Sequence, residues 1–267
     1  MANLYYVERG TALAVGATVE IGGEEGRHAV RVSRLRVGER ILLGDGAGAI
    51  GGGVVVRTDR DRFAVELDEV RTDAEASPRV TLVQALAKGD RDERAVEQAT
   101  EFGVDRVLPW QAARSVSRWD GAGGAEKAAK GVAKWARIAR EASKQSLRAR
   151  IPEVGSPISS EELRAAAADP DRAVIALHPR GERTLSEWAA RFAAGAVRAA
   201  GASAAAEASR PSEILLVVGP EGGFSDAELD ALESAGAEIL VLGTTVLRTS
   251  SAGPAGLAVL NVALGRW

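Results

Sequence analysis

Apolar and polar residues alternate with two different periods along this chain, and the period changes near residue 75. Residues 17–21 and 63–67 alternate with a period of two, the pattern of half-buried strands. Short apolar runs at 40–43 and 53–56 flank a glycine-rich stretch, 44–52. Short strands at this spacing predict a small β-barrel, with one or two helical turns over 25–34. The polar stretch 71–78 ends in Pro and reads as a linker. Beyond it, short unbroken apolar runs alternate with helical periodicity. Strands are predicted at 80–85, 106–109, 173–177, 214–218 and 239–242, and helices at 91–102 (stopped by Gly103), 125–150 and 255–264. Strands that are apolar throughout, separated by helices, predict a mostly parallel sheet covered on both faces. The resulting fold class is α/β, with a β-rich domain over 1–72 and a larger domain over 78–267. The Ala-rich segment 189–212 either extends a helix from Trp188 or is a solvated excursion; it receives no function.

Gly46-Ala47-Gly48-Ala49-Ile50-Gly51 matches a dinucleotide fingerprint letter for letter. Such a loop needs a helix after it, so that the helix N-terminus faces the pyrophosphate. Here Val54-Val55-Val56 follows, a strand pattern, and a hairpin turn is the better reading.

The C-terminal region has more specific content. The strand 214–218 runs directly into Gly219-Pro220-Glu221-Gly222-Gly223-Phe224, and Ser225 with Glu228 three residues on makes a capping box for the next helix. A second strand, 239–242, runs into Gly243-Thr244-Thr245-Val246-Leu247-Arg248-Thr249. Ser250-Ser251 is expected to cap the following helix, with Pro254 in its first turn. Glycine loops at the carboxyl ends of parallel strands let backbone amides approach a ligand. One loop carries Glu and the other Arg.

Composition narrows the chemistry. The chain has 267 residues, no Cys and only two His, His28 and His178. Disulfides, thiolate nucleophiles and Cys-ligated zinc are therefore absent, and no His spacing suggests a built-in metal. No apolar run approaches the roughly 20 residues that span a bilayer, and the N-terminus lacks a signal-peptide pattern, so a soluble cytoplasmic protein is expected. The formal net charge is −3, so any nucleic-acid contact must come from local patches. Lys127, Lys130, Lys134, Arg137, Lys144 and Arg148 recur at helical spacing, opposite an apolar stripe of Ala128, Val132, Trp135, Ala139 and Ala142. Arg114, Arg118 and Arg150 flank this face. Arg27, Arg31, Arg34 and Arg36 form a second cluster beside His28.

The segments LLVVGPEGGFSDAEL and ILVLGTTVLRTSSA closely resemble the methyltransferase core of the SPOUT superfamily, within it the small-subunit (16S) ribosomal RNA uridine-N3 methyltransferases. Residues 28–48 resemble that family's N-terminal PUA-like barrel, and 84–115 and 140–154 its internal motifs. The resemblance covers nearly the whole chain apart from 189–212. It implies a C-terminal SPOUT-type parallel sheet with a trefoil knot, a homodimer, and S-adenosyl-L-methionine as cofactor. The product would be a uridine methylated at ring nitrogen 3, in small-subunit rRNA or the assembled 30S subunit. The cofactor residues it implies are Leu177, Val218, Gly219, Pro220, Glu221, Gly222, Gly223, Leu242, Gly243, Val246, Leu247, Thr249 and Ala252. The RNA-contacting residues are Arg27, Arg31, Arg34, Lys88, Arg91, Arg114, Lys134, Arg137, Lys144 and Gln145. The family commonly has Glu after the Leu-Arg-Thr triplet, where this chain has Ser250.

Uridine N3 is a poor nucleophile until its proton leaves, and the anion spreads over two carbonyl oxygens. Arg248 is the residue expected to stabilise that charge. Glu221 either accepts the proton, binds the amino group of the cofactor, or only orders its loop. Uridine carbon-5 methylation commonly uses a Cys adduct, which this chain cannot supply; nitrogen methylation needs none. The alternatives are a SPOUT enzyme acting on tRNA or on a ribose 2′-hydroxyl, and a non-catalytic RNA-binding or ribosome-assembly factor.

Overall fold

A computed structural model describes residues 3–200 and 210–267. The chain divides into two units, Met1–Glu75 with Arg140–Ile151, and Ala76–Ala139 with Pro152–Trp267.

In the first unit, β1 (Leu4–Tyr6), β2 (Thr18–Ile21), β3 (Arg40–Gly44), β4 (Ala49–Thr58) and β5 (Phe63–Thr72) form one sheet in the order β1-β3-β4-β5-β2. A short helix, α1 (Gly23–Arg27), leads into a π-helical turn, His28–Val32. Alternation places Ile41, Leu43, Val55, Phe63, Val65 and Leu67 in one buried cluster. The dinucleotide-like glycines lie in the β3–β4 hairpin, as the strand pattern after them required. The turn is shorter than the glycine run, however: Gly51, Gly52 and Gly53 are strand residues opposite Leu43, Leu42 and Ile41. A Cβ on Gly53 would stand 2.3 Å from the Glu66 carbonyl oxygen, so the backbones approach where a side chain has no room. Strand β1 carries no alternation and was not anticipated; it is fully buried and pairs in parallel with β3.

Residues 140–151 join this unit through specific contacts. The Tyr6 hydroxyl donates to the Arg148 carbonyl (2.6 Å), and Arg140 and Lys144 both reach Glu25, at 3.1 and 2.6 Å.

The second unit contains β6 (Arg79–Ala85), α2 (Arg91–Glu101), β7 (Arg106–Trp110), α3 (Gly124–Gln145, whose last turns belong to the first unit), β8 (Glu153–Val154) and α4 (Ser160–Ala167). It continues with β9 (Arg172–Leu177), β10 (Arg183–Thr184), α5 (Leu185–Ala200), β11 (Glu213–Val218), α6 (Asp226–Ser234), β12 (Glu238–Val241) and α7 (Thr249–Ala263). Seven strands form a parallel sheet in the order β10-β12-β9-β11-β6-β7-β8. The unbroken apolar run of β11 follows from burial on both faces. Ile214, Leu216 and Val218 pack with Leu257 and Leu260 of α7 and Trp135 of α3, whereas Leu215 and Val217 pack with Leu163 of α4 and Leu229 of α6.

Helix α7 lies close over this sheet because its contact residues are small. A Cβ on Gly253 would stand 2.9 Å from Leu82, and one on Gly256 2.7 Å from Leu216. The helix begins earlier than its Ser pair suggested. Arg248 is the N-cap, without a side-chain capping bond, so Ser250 is already helical and Pro254 falls in the second turn. Helix α3 likewise stops at Gln145, short of residue 150, where Leu147 takes a left-handed φ of 55°. The Ala-rich segment begins inside α5; residues 201–209 lie outside the described residues.

Candidate active site

Strand order assembles the site. Strands β12, β9 and β11 are neighbours, so the loops leaving their carboxyl ends converge although they are far apart in sequence. They enclose a cleft of about 770 Å³, within the ~300–1,000 Å³ usual for small-molecule sites. The first glycine loop supplies Val218, Gly219, Pro220, Glu221, Gly222, Gly223 and Phe224; the second supplies Leu242 through Thr249, with Ala252 of α7. The cofactor residues expected from the sequence all line this one cleft, and so do Arg248 and Glu221.

Phe224, Thr244 and Thr245 of the two expected loops line it as well, and residues not anticipated there are His178, Pro179 and Val241. The signal for His178 and Pro179 was available: they directly follow the strand β9. That β9 lies between β11 and β12 is a fact of sheet order, and nothing in the local sequence states it.

Glu221 is held from outside its own loop. Its Oε1 accepts from Arg91 Nη1 at 2.7 Å and from the Lys88 backbone N–H at 3.0 Å. Partial burial works against its ionisation, but the Arg91 hydrogen bond, backbone N–H groups and the guanidinium charge outweigh it and hold the carboxyl below its ordinary value. The loop after β6 is itself ordered by buried Asp92, which accepts from the Ala87 and Glu93 backbone N–H groups at 3.1 and 2.8 Å. Arg114 Nη1 donates to the Gly222 carbonyl at 3.1 Å. Arg91 and Arg114, expected to contact RNA, are thus engaged with the first glycine loop.

Beyond the loop, Ser225 and Glu228 make the expected capping box at the start of α6. Glu228 also accepts from the Ala113 N–H at 2.7 Å. His178 Nδ1 accepts from the Arg180 N–H at 3.1 Å, and the ring meets Phe224 edge-on at 5.8 Å. Desolvation, then the nearby Arg180 charge, lowers its pKa, which keeps the imidazole neutral near pH 7.

Arg248 contrasts with these residues. It is exposed and lines the cleft, and its side chain has no hydrogen bond or ion pair among the described residues. Val246 and Leu247 are also exposed, at 79% and 40%, an uncommon state for large apolar side chains beside a cleft.

The remaining basic residues fall into two groups. Lys134 is paired with Glu93, and Lys144 with Glu25 and Glu141, so these parts of the helix face are already neutralised. Lys127, Arg137 and Gln145 on α3 are exposed and unpaired among the described residues, as are Arg27 and Arg34 in the first unit. Arg31 Nε donates to the Arg60 carbonyl at 3.3 Å and is otherwise exposed. No group of His, Asp or Glu among the described residues is placed to hold a metal ion. No helix among them is long and apolar enough to cross a membrane.

Residues 74–261 match the model of the RNA methyltransferase domain, and residues 21–68 that of the RNA methyltransferase PUA domain. The chain is 38% identical to ribosomal RNA small subunit methyltransferase E of Mycobacterium bovis, over 100% of this chain and 94% of that protein. The crystal structure of ribosomal RNA small subunit methyltransferase E from Neisseria gonorrhoeae, bound to S-adenosyl methionine, superposes with a TM-score of 0.75 at 26% identity, covering 98% of both chains. A Legionella pneumophila methyltransferase structure with bound cofactor SAM superposes with a TM-score of 0.76 at 27% identity, covering 97% of both. On its full-length likeness and its two matched domains, the chain belongs to the ribosomal RNA small subunit methyltransferase E family of RNA methyltransferases.

Proposed function

We propose that this protein uses S-adenosylmethionine to methylate ring nitrogen 3 of a uridine in small-subunit rRNA. One observation carries the reading: two glycine loops, an anchored carboxylate and an unpaired arginine share one cleft at the carboxyl ends of β9, β11 and β12. The residues present fit the cofactor. Leu177, Val218, Leu242, Val246 and Leu247 offer apolar surface for an adenine ring, and the glycine loops offer backbone N–H groups. Glu221 offers a carboxylate to an ammonium group.

When bound, the cofactor supplies an electrophilic methyl group on a sulfonium. The protein's part is to position the two reactants and to manage charge. Arg248 is free to face the carbonyl oxygens of a uracil whose N3 proton has left, where a fixed cation is most effective. Glu221 suits binding better than proton transfer. A general base works best with a pKa near the operating pH, and Arg91 and the Lys88 N–H hold Glu221 below even the ordinary carboxylate range.

The exposed basic residues Arg27, Arg31, Arg34, Lys88, Arg137 and Lys127 are the RNA contacts in this reading, together with Gln145; Lys134 contributes only by giving up Glu93, and Lys144 by giving up Glu25 and Glu141. The protein acts as a homodimer in the cytoplasm. Val262, 67% exposed in α7, supports the dimer as a large apolar side chain without cover.

Nucleoside analysis of small-subunit rRNA from a deletion strain tests the reading. Loss of one N3-methyluridine is expected, restored by the wild-type gene. An unchanged rRNA profile, with a methyl group missing from tRNA, would reject it.

A further inference from the structure

Gln84 is a fully buried amide in the middle of the parallel sheet, on β6 between β11 and β7. Its neighbours along the strand, Val80, Leu82 and Val83, are apolar core residues. Its Nε2 donates to the Ala85 carbonyl at 3.1 Å and to Thr249 Oγ1 at 2.9 Å. Thr249 Oγ1 in turn donates to the Gly219 carbonyl at 2.7 Å. The polarity of this relay is determined. Thr249 has one hydroxyl proton and spends it on a carbonyl, so it can only accept from Gln84, and the amide must present its NH₂.

Stability does not account for an amide at this position. Gln84 Oε1 is buried and has no hydrogen-bond partner among the described residues. An unpaired buried acceptor is a net cost, and an apolar side chain of the same length would avoid it. The relay joins three separate segments: a strand, the first residue of the first glycine loop, and the residue where the second loop becomes α7. Thr249 lines the cleft, and its hydroxyl proton is committed to the Gly219 carbonyl.

We propose that Gln84 is a positioning residue of the cofactor site, holding the two cofactor loops at their working separation through Thr249 and Gly219. The proposal rests on the S-adenosylmethionine reading above. Hydrogen bonds in a chain polarise one another, so the relay acts as a unit rather than as two independent bonds.

The test is a double-mutant cycle on the full-length protein, with S-adenosylhomocysteine as the titrated probe in calorimetry and thermal melting of the ligand-free protein alongside. Gln84→Met and Thr249→Val are each expected to weaken binding about tenfold, the worth of one well-made buried hydrogen bond. The double variant should bind no worse than the weaker single variant, because the second change removes a link already broken. Thr249→Ser keeps the hydroxyl and should recover most of the affinity. Gln84→Met should melt no lower than wild type, since it also removes the orphan acceptor. Wild-type-like binding in both single variants, or losses that multiply to about a hundredfold in the double, would overturn the proposal. If Gln84→Met does not fold, the Thr249→Val and Thr249→Ser pair decides: equal affinities overturn it. Failure of the wild type itself to bind the probe would instead overturn the cofactor assignment, and the proposal with it.

Discussion

Replacing Glu221 with Gln separates the two chemical roles open to this residue. The substitution keeps shape and hydrogen-bonding length but removes the charge. The Glu221 side chain is 29% exposed and already shares its charge with Arg91 at 2.7 Å. Two unit charges ~4 Å apart at an effective dielectric of ~20 give about 4 kcal/mol as an upper bound. Solvent access and the opposing Arg91 charge reduce this to the ~1–1.5 kcal/mol that distinguishes a charge-assisted hydrogen bond from a neutral one. Near 1.4 kcal/mol, S-adenosylmethionine affinity falls about tenfold, while kcat at saturating cofactor stays within about threefold.

The pH dependence has a definite sign. Because the Glu221 pKa is depressed, its charge is present above the ordinary carboxylate range and is lost only as the pH falls through the depressed value. Cofactor affinity should therefore be flat between about pH 6 and 7 in wild type and variant alike, below the range of about 7.7–8.0 in which an α-amino group loses its proton. Calorimetry across that range, with single-turnover methylation of an rRNA fragment, makes both measurements. Unchanged affinity with kcat lowered about a hundredfold, and loss of the acid limb of the rate profile, would show Glu221 to be the proton acceptor and refute this reasoning.

Arg248→Ala should lower kcat about a hundredfold while cofactor affinity stays within about threefold, the pattern of a charge stabilised only in the transition state; an equal loss of affinity would place Arg248 in cofactor binding instead. Ser225→Ala removes the Glu228 N–H acceptor of the capping box, at a cost of about 1 kcal/mol. The melting temperature should then fall by roughly 2–4 °C, and an unchanged melting curve would show that Glu228, through Ala113, holds the helix start alone.

What could be read without coordinates was local. Uninterrupted apolar runs such as 214–218 require burial on both faces, so the parallel sheet followed from pattern. A glycine loop followed by a capping box marks a strand-to-helix junction, and Ser225 and Glu228 form one. The strand run after Gly51 was enough to dismiss the dinucleotide fingerprint. What the pattern left out was equally physical. Strand β1 is too short and too uniformly buried to alternate, and its partner lies about forty residues away, Leu4 opposite Leu42.

Burial and pairing, in contrast, depend on who the neighbours are. Charges along α3 look alike in sequence, but Lys134 and Lys144 face carboxylates that arrive from α2 and from α1. Arg91 reads from sequence as an RNA contact because nothing nearby in sequence announces Glu221, 130 residues away. His178 came beside the two loops, and Gln84 within reach of Thr249, through strand order, since β9 and β6 both flank β11. Sequence by itself determined which segments form strands, loops and caps, because those depend on backbone preferences and periodicity within a few residues. Tertiary structure alone decided which charges are free and which are paired, and which buried amide ties the loops together, because a charge or a hydrogen bond acts over a few ångströms of space whatever its separation along the chain.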